Sequence, residues 1–87
     1  MNDNQIKGKI LHKLSRRGNF KASHTSIDNL PKGFPKHMRD TVKDLSEEMI
    51  KEGLLLSKPT SYGKEVSINL NKRDEVLKLI DEFLKSK

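Results

Sequence analysis

Lys36, Arg39 and Lys43 recur at three- and four-residue steps within "GFPKHMRDTVKDLSEEMIKEG", residues 33 to 53. That spacing lines side chains along one side of a helix. Cations so arrayed neutralise phosphate oxygens, and an arginine or lysine among them fits the O6 and N7 acceptors of a guanine edge. Lys32 precedes them, and His37 and Asp40 lie between them. His37 is suited to donate to a phosphate or a base, and equally to be an ordinary exposed histidine.

A second set of polar residues, Lys58, Thr60, Ser61, Tyr62 and Lys64, is concentrated in "SKPTSYGKE". Lysines reach phosphates, hydroxyls bond phosphate oxygens, and a tyrosine bonds a phosphate or rests on sugar. The plainer alternatives are that Tyr62 packs across a turn and stiffens it, and that Thr60 and Ser61 simply build that turn. These eleven residues are the candidate polyanion contacts.

No catalytic constellation competes with them. The sequence has no nucleophile elbow, no phosphate-binding loop and no carboxylate pair set among apolar residues, so no enzyme activity, catalytic residue or cofactor is expected. His12, His24 and His37 have no cysteine beside them and no HxxxH spacing, so no metal site is expected. His12 reads as a surface residue of the first helix and His24 as a turn residue.

The segment from 33 to 53 poses a physical problem of its own. Its front half carries Lys36, Arg39 and Lys43 against Asp40, and its back half carries Asp44, Glu47, Glu48 and Glu52 against Lys51. A helix dipole favours the opposite order, and each misplaced terminal charge forgoes or opposes about 0.3–1 kcal/mol. A polyanion at the front end would explain the basic residues, and an acidic tail would discourage indiscriminate binding by the rest. A solvated face would explain them too, with Glu47–Lys51 and Asp40–Lys43 spaced to pair within the helix.

The elements that position these residues follow from hydrophobic periodicity. Ile6, Ile10 and Leu14, with Leu11 beside them, mark an amphipathic helix from about Asn4 to Arg17 that ends at Gly18-Asn19. A brief extended stretch and a helix of one or two turns follow between Phe20 and Leu30, with Thr25 and Asp28 near capping-box spacing. Pro31 stops that helix by pushing its predecessor from helical angles. "PKGFP" then turns the chain, with Gly33 free for positive φ and Pro35 suited to a first helical position.

The spacing of Met38, Val42, Leu45 and Met49 predicts a helix from Pro35 to about Glu52 that stops at Gly53. Alternation of Val66, Ile68 and Leu70 with polar residues predicts a β-hairpin, its loop about five residues long, around Pro59 to Gly63. Asn71 then caps a last helix, Lys72 to about Lys85, whose stripe of Val76, Ile80 and Phe83 is broadened by Leu77, Leu79 and Leu84. Phe20, Ile27, Leu30 and Phe34 read as core.

This order is α+β, mainly α: helix, short strand, short helix, helix, β-hairpin wing, helix. It resembles the winged helix-turn-helix superfamily over nearly the whole chain. More narrowly, "HTSIDNLPKGFPKHMRDTVKDL" and "IKEGLLLSKPTSYGKEVSINL" resemble small archaeal winged-helix proteins of poorly defined function. The resemblance implies double-stranded DNA as partner, Pro35 to Lys43 as the part entering the major groove, Lys58 to Lys64 as a wing over the backbone, and a role in transcription regulation.

Bulk properties agree with that class. With 87 residues the chain has room for one core, so residues 1–87 read as a single domain. Net charge is +6, with ten basic against four acidic residues in positions 1–45 and eight against eight in 46–87. A one-sided basic surplus is the footprint of a polyanion surface, although lysine-rich composition alone also produces it. The absence of cysteine, of an apolar leader and of a membrane-length apolar run leads to the expectation of a cytoplasmic protein, nucleoid-associated if it binds DNA, without membrane contact. The alternative is a protein-interaction module on the same fold, forming a homodimer through helix 72–85, whose apolar arc is wide.

Overall fold

The computed structural model describes residues 1–20 and 23–86. Its first helix, α1 (Asp3–Arg16), opens one residue earlier than the apolar stripe requires because Asn2 and Gln5 form a reciprocal cap. Asn2 Oδ1 accepts from the Gln5 amide at 2.8 Å and Gln5 Oε1 accepts from the Asn2 amide at 3.0 Å, satisfying two orphan donors. Ile6, Ile10, Leu11 and Leu14 are buried as their spacing demands. Lys7 and Gly8 are buried with them.

The expected extended stretch after Phe20 includes positions 21 and 22, which lie outside the described residues. Its described part is the two-residue strand β1 (Thr25–Ser26), followed by a single 3-10 turn, Ile27–Asn29. Ser26, not Thr25, provides the cap, its Oγ accepting from the Asp28 amide at 3.2 Å. Leu30 keeps helical angles, φ −68° and ψ −39°, although Pro31 follows it. Its side chain is anchored in the core, so the turn ends because Pro31 has no N–H to donate rather than because Leu30 is displaced.

Helix α2 (Arg39–Lys51) begins four residues after Pro35, the expected helix start. Pro35 is extended at ψ 152°, and a 3-10 turn, Lys36–Met38, leads into the α-helix. Val42, Leu45 and Met49 are buried, joined by Ser46, whose Oγ donates to the Val42 carbonyl at 2.7 Å. Met38 is only half-buried because it lies in the tighter turn.

Strands β2 (Leu55–Thr60) and β3 (Gly63–Ile68) form a hairpin whose connection is two residues, Ser61 and Tyr62, not about five. The strands stay paired out to Thr60 and Gly63. Thr60 Oγ1 closes the end by donating to the Gly63 carbonyl at 3.1 Å and accepting from the Tyr62 amide at 3.3 Å. The antiparallel sheet has the order β1-β3-β2, so β3 is central and Pro59 occupies an outer strand, where a missing N–H is tolerated. Thr25 pairs with Val66, and Leu55 with Ile68.

The last helix, α3 (Arg73–Lys85), is entered through another 3-10 turn, Leu70–Lys72. The cap is Asn69 rather than Asn71: its Oδ1 accepts from the Asn71 amide at 3.0 Å, and its Nδ2 donates to the Gly53 carbonyl at 2.8 Å. Val76, Ile80 and Phe83 are buried, while Leu77 and Leu84 are exposed. Gly8 lets α1 and α3 meet closely, since a Cβ there would fall on the Leu79 carbonyl. All three helices and the sheet contribute to one continuous buried cluster. Among the described residues, no helix is long and apolar enough to cross a membrane.

Candidate nucleic-acid interface

Two lysines of α1 hold the loop that delivers the chain to α2. Lys13 Nζ donates to the carbonyls of Asn29 at 3.1 Å and Lys32 at 2.6 Å. Lys9 Nζ donates to the Gly33 carbonyl at 3.4 Å and lies 4.5 Å from the centre of the Phe34 ring. Gly33 takes φ +92°, which only glycine adopts without strain, so the loop folds back over α1. Loop carbonyls without sheet or helix partners are thereby satisfied by cations.

That tethered loop and the first turns of α2 enclose a surface depression of about 400 Å³, lined by Asp28, Pro31, Lys32, Arg39, Asp40 and Lys43. The structure thus brings four of the sequence candidates, Lys32, Arg39, Asp40 and Lys43, onto one rim. All four are exposed, as are Lys36 and His37 in the preceding 3-10 turn. Among the described residues, Lys32, Lys36, Arg39 and Lys43 make no ion pair. The local field is positive: burial first, then the charges of Arg17, Lys32 and Lys9, hold the Lys13 ammonium below the ordinary lysine pKa.

The acidic back of α2 has a different fate. Lys7 reaches from α1 to Glu52 at 3.0 Å and Glu48 at 3.5 Å, and its side chain is only 8% exposed. Burial alone would lower its pKa, yet the hydrogen bond and charge of Glu52, with Glu48 behind them, hold it above the ordinary value. Glu47 chelates Lys64 of the hairpin with both oxygens, at 2.8 and 3.0 Å. Neither Glu47–Lys51 nor Asp40–Lys43 forms an ion pair within the helix. Helix α2 is therefore divided: Glu48 and Glu52 fasten α1 and Glu47 fastens the hairpin, Asp44 makes no ion pair among the described residues, and the front cations face solvent.

The hairpin candidates separate in the same way. Lys64 is engaged by Glu47, one turn beyond Lys43 on the same side of α2, so the tip end of β3 is docked beside the basic rim. The Thr60 hydroxyl is used inside the turn. Tyr62 is 96% exposed, so it does not pack across the turn. Ser61 shares the exposed tip, and Lys58 stands opposite Glu65 in the strand register without a close ion pair. His12 is half-buried rather than fully solvated, its ring 5.9 Å from that of Phe83 between α1 and α3.

Sequence reasoning missed Lys7, Lys9 and Lys13 as fastening groups. A signal existed for Lys7, which lies three, four and seven residues before Ile10, Leu11 and Leu14 and so falls on the apolar stripe itself. No protein-family model matches the chain, and neither a curated protein nor a solved structure matches it.

Proposed function

We propose that the chain binds double-stranded DNA, with the front of α2 in the major groove and the β2–β3 tip over the backbone, in the manner of a winged helix-turn-helix regulator. The observation that carries this reading is the partition of charge along α2. Glu48 and Glu52 are engaged by Lys7 and Glu47 by Lys64, whereas Lys32, Arg39 and Lys43 on the exposed rim, and Lys36 in the turn before it, make no ion pair among the described residues although Asp28 and Asp40 line the same rim. Of these cations only Arg39 lies in the first turn of α2, beside Asp40, so it is their lack of an ion-pair partner rather than the helix dipole that calls for a counter-charge. A phosphate backbone provides the missing counter-charge.

Asp40 adds discrimination. A carboxylate on a phosphate-binding rim repels phosphate but accepts from the exocyclic amine of cytosine, while Arg39 or Lys43 donates to guanine. The Tyr62 hydroxyl and Ser61 at the exposed tip supply backbone contacts that need no sequence match. Three helices with a hairpin between the second and third, and a loop pinned so that α2 projects its first turns, are the arrangement this docking needs.

The test is fluorescence anisotropy of labelled duplex titrated with protein at several salt concentrations. Arg39→Ala with Lys43→Ala weakens binding and makes the slope of log K against log salt shallower by about 0.9 per lost phosphate contact. An unchanged slope in the folded double variant, or no binding by the parent protein at about 50 mM salt, overturns the proposal. Selection from randomised duplexes then reports specificity: an enriched motif whose preference at one position relaxes in Asp40→Ala supports base reading by that residue.

A further inference from the structure

We infer that the exposed leucine seam of α3 is an interface for a second copy of this chain, packed with the two α3 helices antiparallel about a two-fold axis. The seam consists of Leu70, Leu77 and Leu84, which remain 38%, 55% and 43% exposed. Leu77 and Leu84 are seven residues apart, so helix geometry stacks them on one side, next to buried Ile80. Alongside the seam runs an apolar slot of about 200 Å³ between α3, the 3-10 turn before it and the sheet, lined by Phe20, Ile68, Leu70, Arg73, Leu77 and Ile80. One face thus carries both protruding leucines and a hollow of side-chain size, which is what a self-complementary contact requires.

Charge selects the occupant and its direction. On the flank of the seam away from the core, helical spacing places Asp74, Lys78, Asp81 and Lys85, alternating in sign from the first turn to the last. A second α3 laid antiparallel brings Asp74 against Lys85 of the other copy and Lys78 against Asp81 of the other copy. A parallel two-fold pair would instead set this flank against the opposite side of the seam, where Arg73 and Ile80 lie, and leave the alternating charges without matched partners. Asp81 already meets Lys85 of its own helix at 2.9 Å, but both side chains are more than half exposed, so a second partner can join them.

The same register seats the leucines. At about 1.5 Å per residue, Leu84 of the second copy falls about 3 Å along the axis from Leu77, toward Leu70 and over the slot. By symmetry the contact occurs twice. A 13-residue helix spans only about 20 Å, less than a standard interface uses, so the dimer is concentration-dependent rather than obligate.

Sedimentation without DNA tests this separately from the DNA reading. The parent protein passes from one chain to two between roughly 10 µM and 1 mM, and Leu77→Asp stays a single chain while keeping its helical circular dichroism. Asp74→Lys with Asp81→Lys makes one flank wholly basic, and Lys78→Glu with Lys85→Glu makes another wholly acidic. Each double variant is monomeric alone, and an equimolar mixture restores the two-chain species. A parent protein that remains a single chain at about 1 mM, or charge variants that self-associate as the parent does, overturns the inference.

Discussion

Lys7 shows how one side chain can be both costly and structural. Burying its ammonium is unfavourable, and the carboxylates of Glu48 and Glu52, about half exposed, offset that cost from a different helix. Lys7→Ala is expected to lower unfolding free energy by about 1–2 kcal/mol, measured by urea denaturation, because the acids it leaves can rehydrate. Its pKa is raised in the folded chain, so its stabilisation is complete below the unfolded lysine value and disappears as pH climbs through the folded one. The stability difference between parent and Lys7→Ala should therefore hold steady from neutral pH to the lysine range and shrink above it. Lys13 has the opposite sign: its lowered pKa opposes folding while it is charged, and that penalty lifts in alkali. Ser67, on the central strand, offers a simpler case, a buried hydroxyl oxygen with no hydrogen-bond partner among the described residues. Ser67→Ala removes an unsatisfied group and should raise stability by about 1 kcal/mol in the same denaturation experiment.

Elements meet through a few positions where size matters more than polarity. Gly8→Ala would drive a methyl into the Leu79 carbonyl, forcing α1 and α3 apart at a cost of about 1–3 kcal/mol, visible as a lower thermal midpoint. The three long helices were legible in the sequence because Ile6, Ile10 and Leu14, then Val42, Leu45 and Met49, then Val76, Ile80 and Phe83 repeat at helical spacing and are all buried. The hairpin was legible from Val66 and Ile68, but the alternation expected through Leu70 stops short: Leu70 is exposed in the 3-10 turn before α3, and Ser67 between the two apolar residues is buried. Helix entries were less so: the 3-10 turns before α2 and α3 differ from an α-helix by one hydrogen-bond step, which periodicity does not register. The basic rim could be named residue by residue, since Lys32, Arg39 and Lys43 are close in sequence. Lys64 could not be separated from it, because its carboxylate partner lies 17 residues away and pairing at that range is a tertiary property.

At the scale of the whole molecule, the formal +6 charge is less informative than its fastening. Lysines 7, 9, 13 and 64 all bind the chain to itself, leaving the unpaired cations of the rim to face outward. On the proposed DNA reading, added salt should therefore act unevenly, with affinity for duplex falling steeply while unfolding midpoints move less, since the Lys7 ammonium is buried although Glu48 and Glu52 are about half exposed. Chromatography and calorimetry across one salt series would separate the two responses. The outer strand also has a colloidal consequence. With only two residues joining the strands, Thr60 and Gly63 exchange ladder bonds, so the Pro59 nitrogen lies on the open rim of the sheet. There the ring breaks a row of donors that would otherwise invite another chain's strand, and it does so beside exposed Leu56. Pro59→Val would restore that row, and light scattering from concentrated solutions should then climb with time as sheets recruit one another edge to edge.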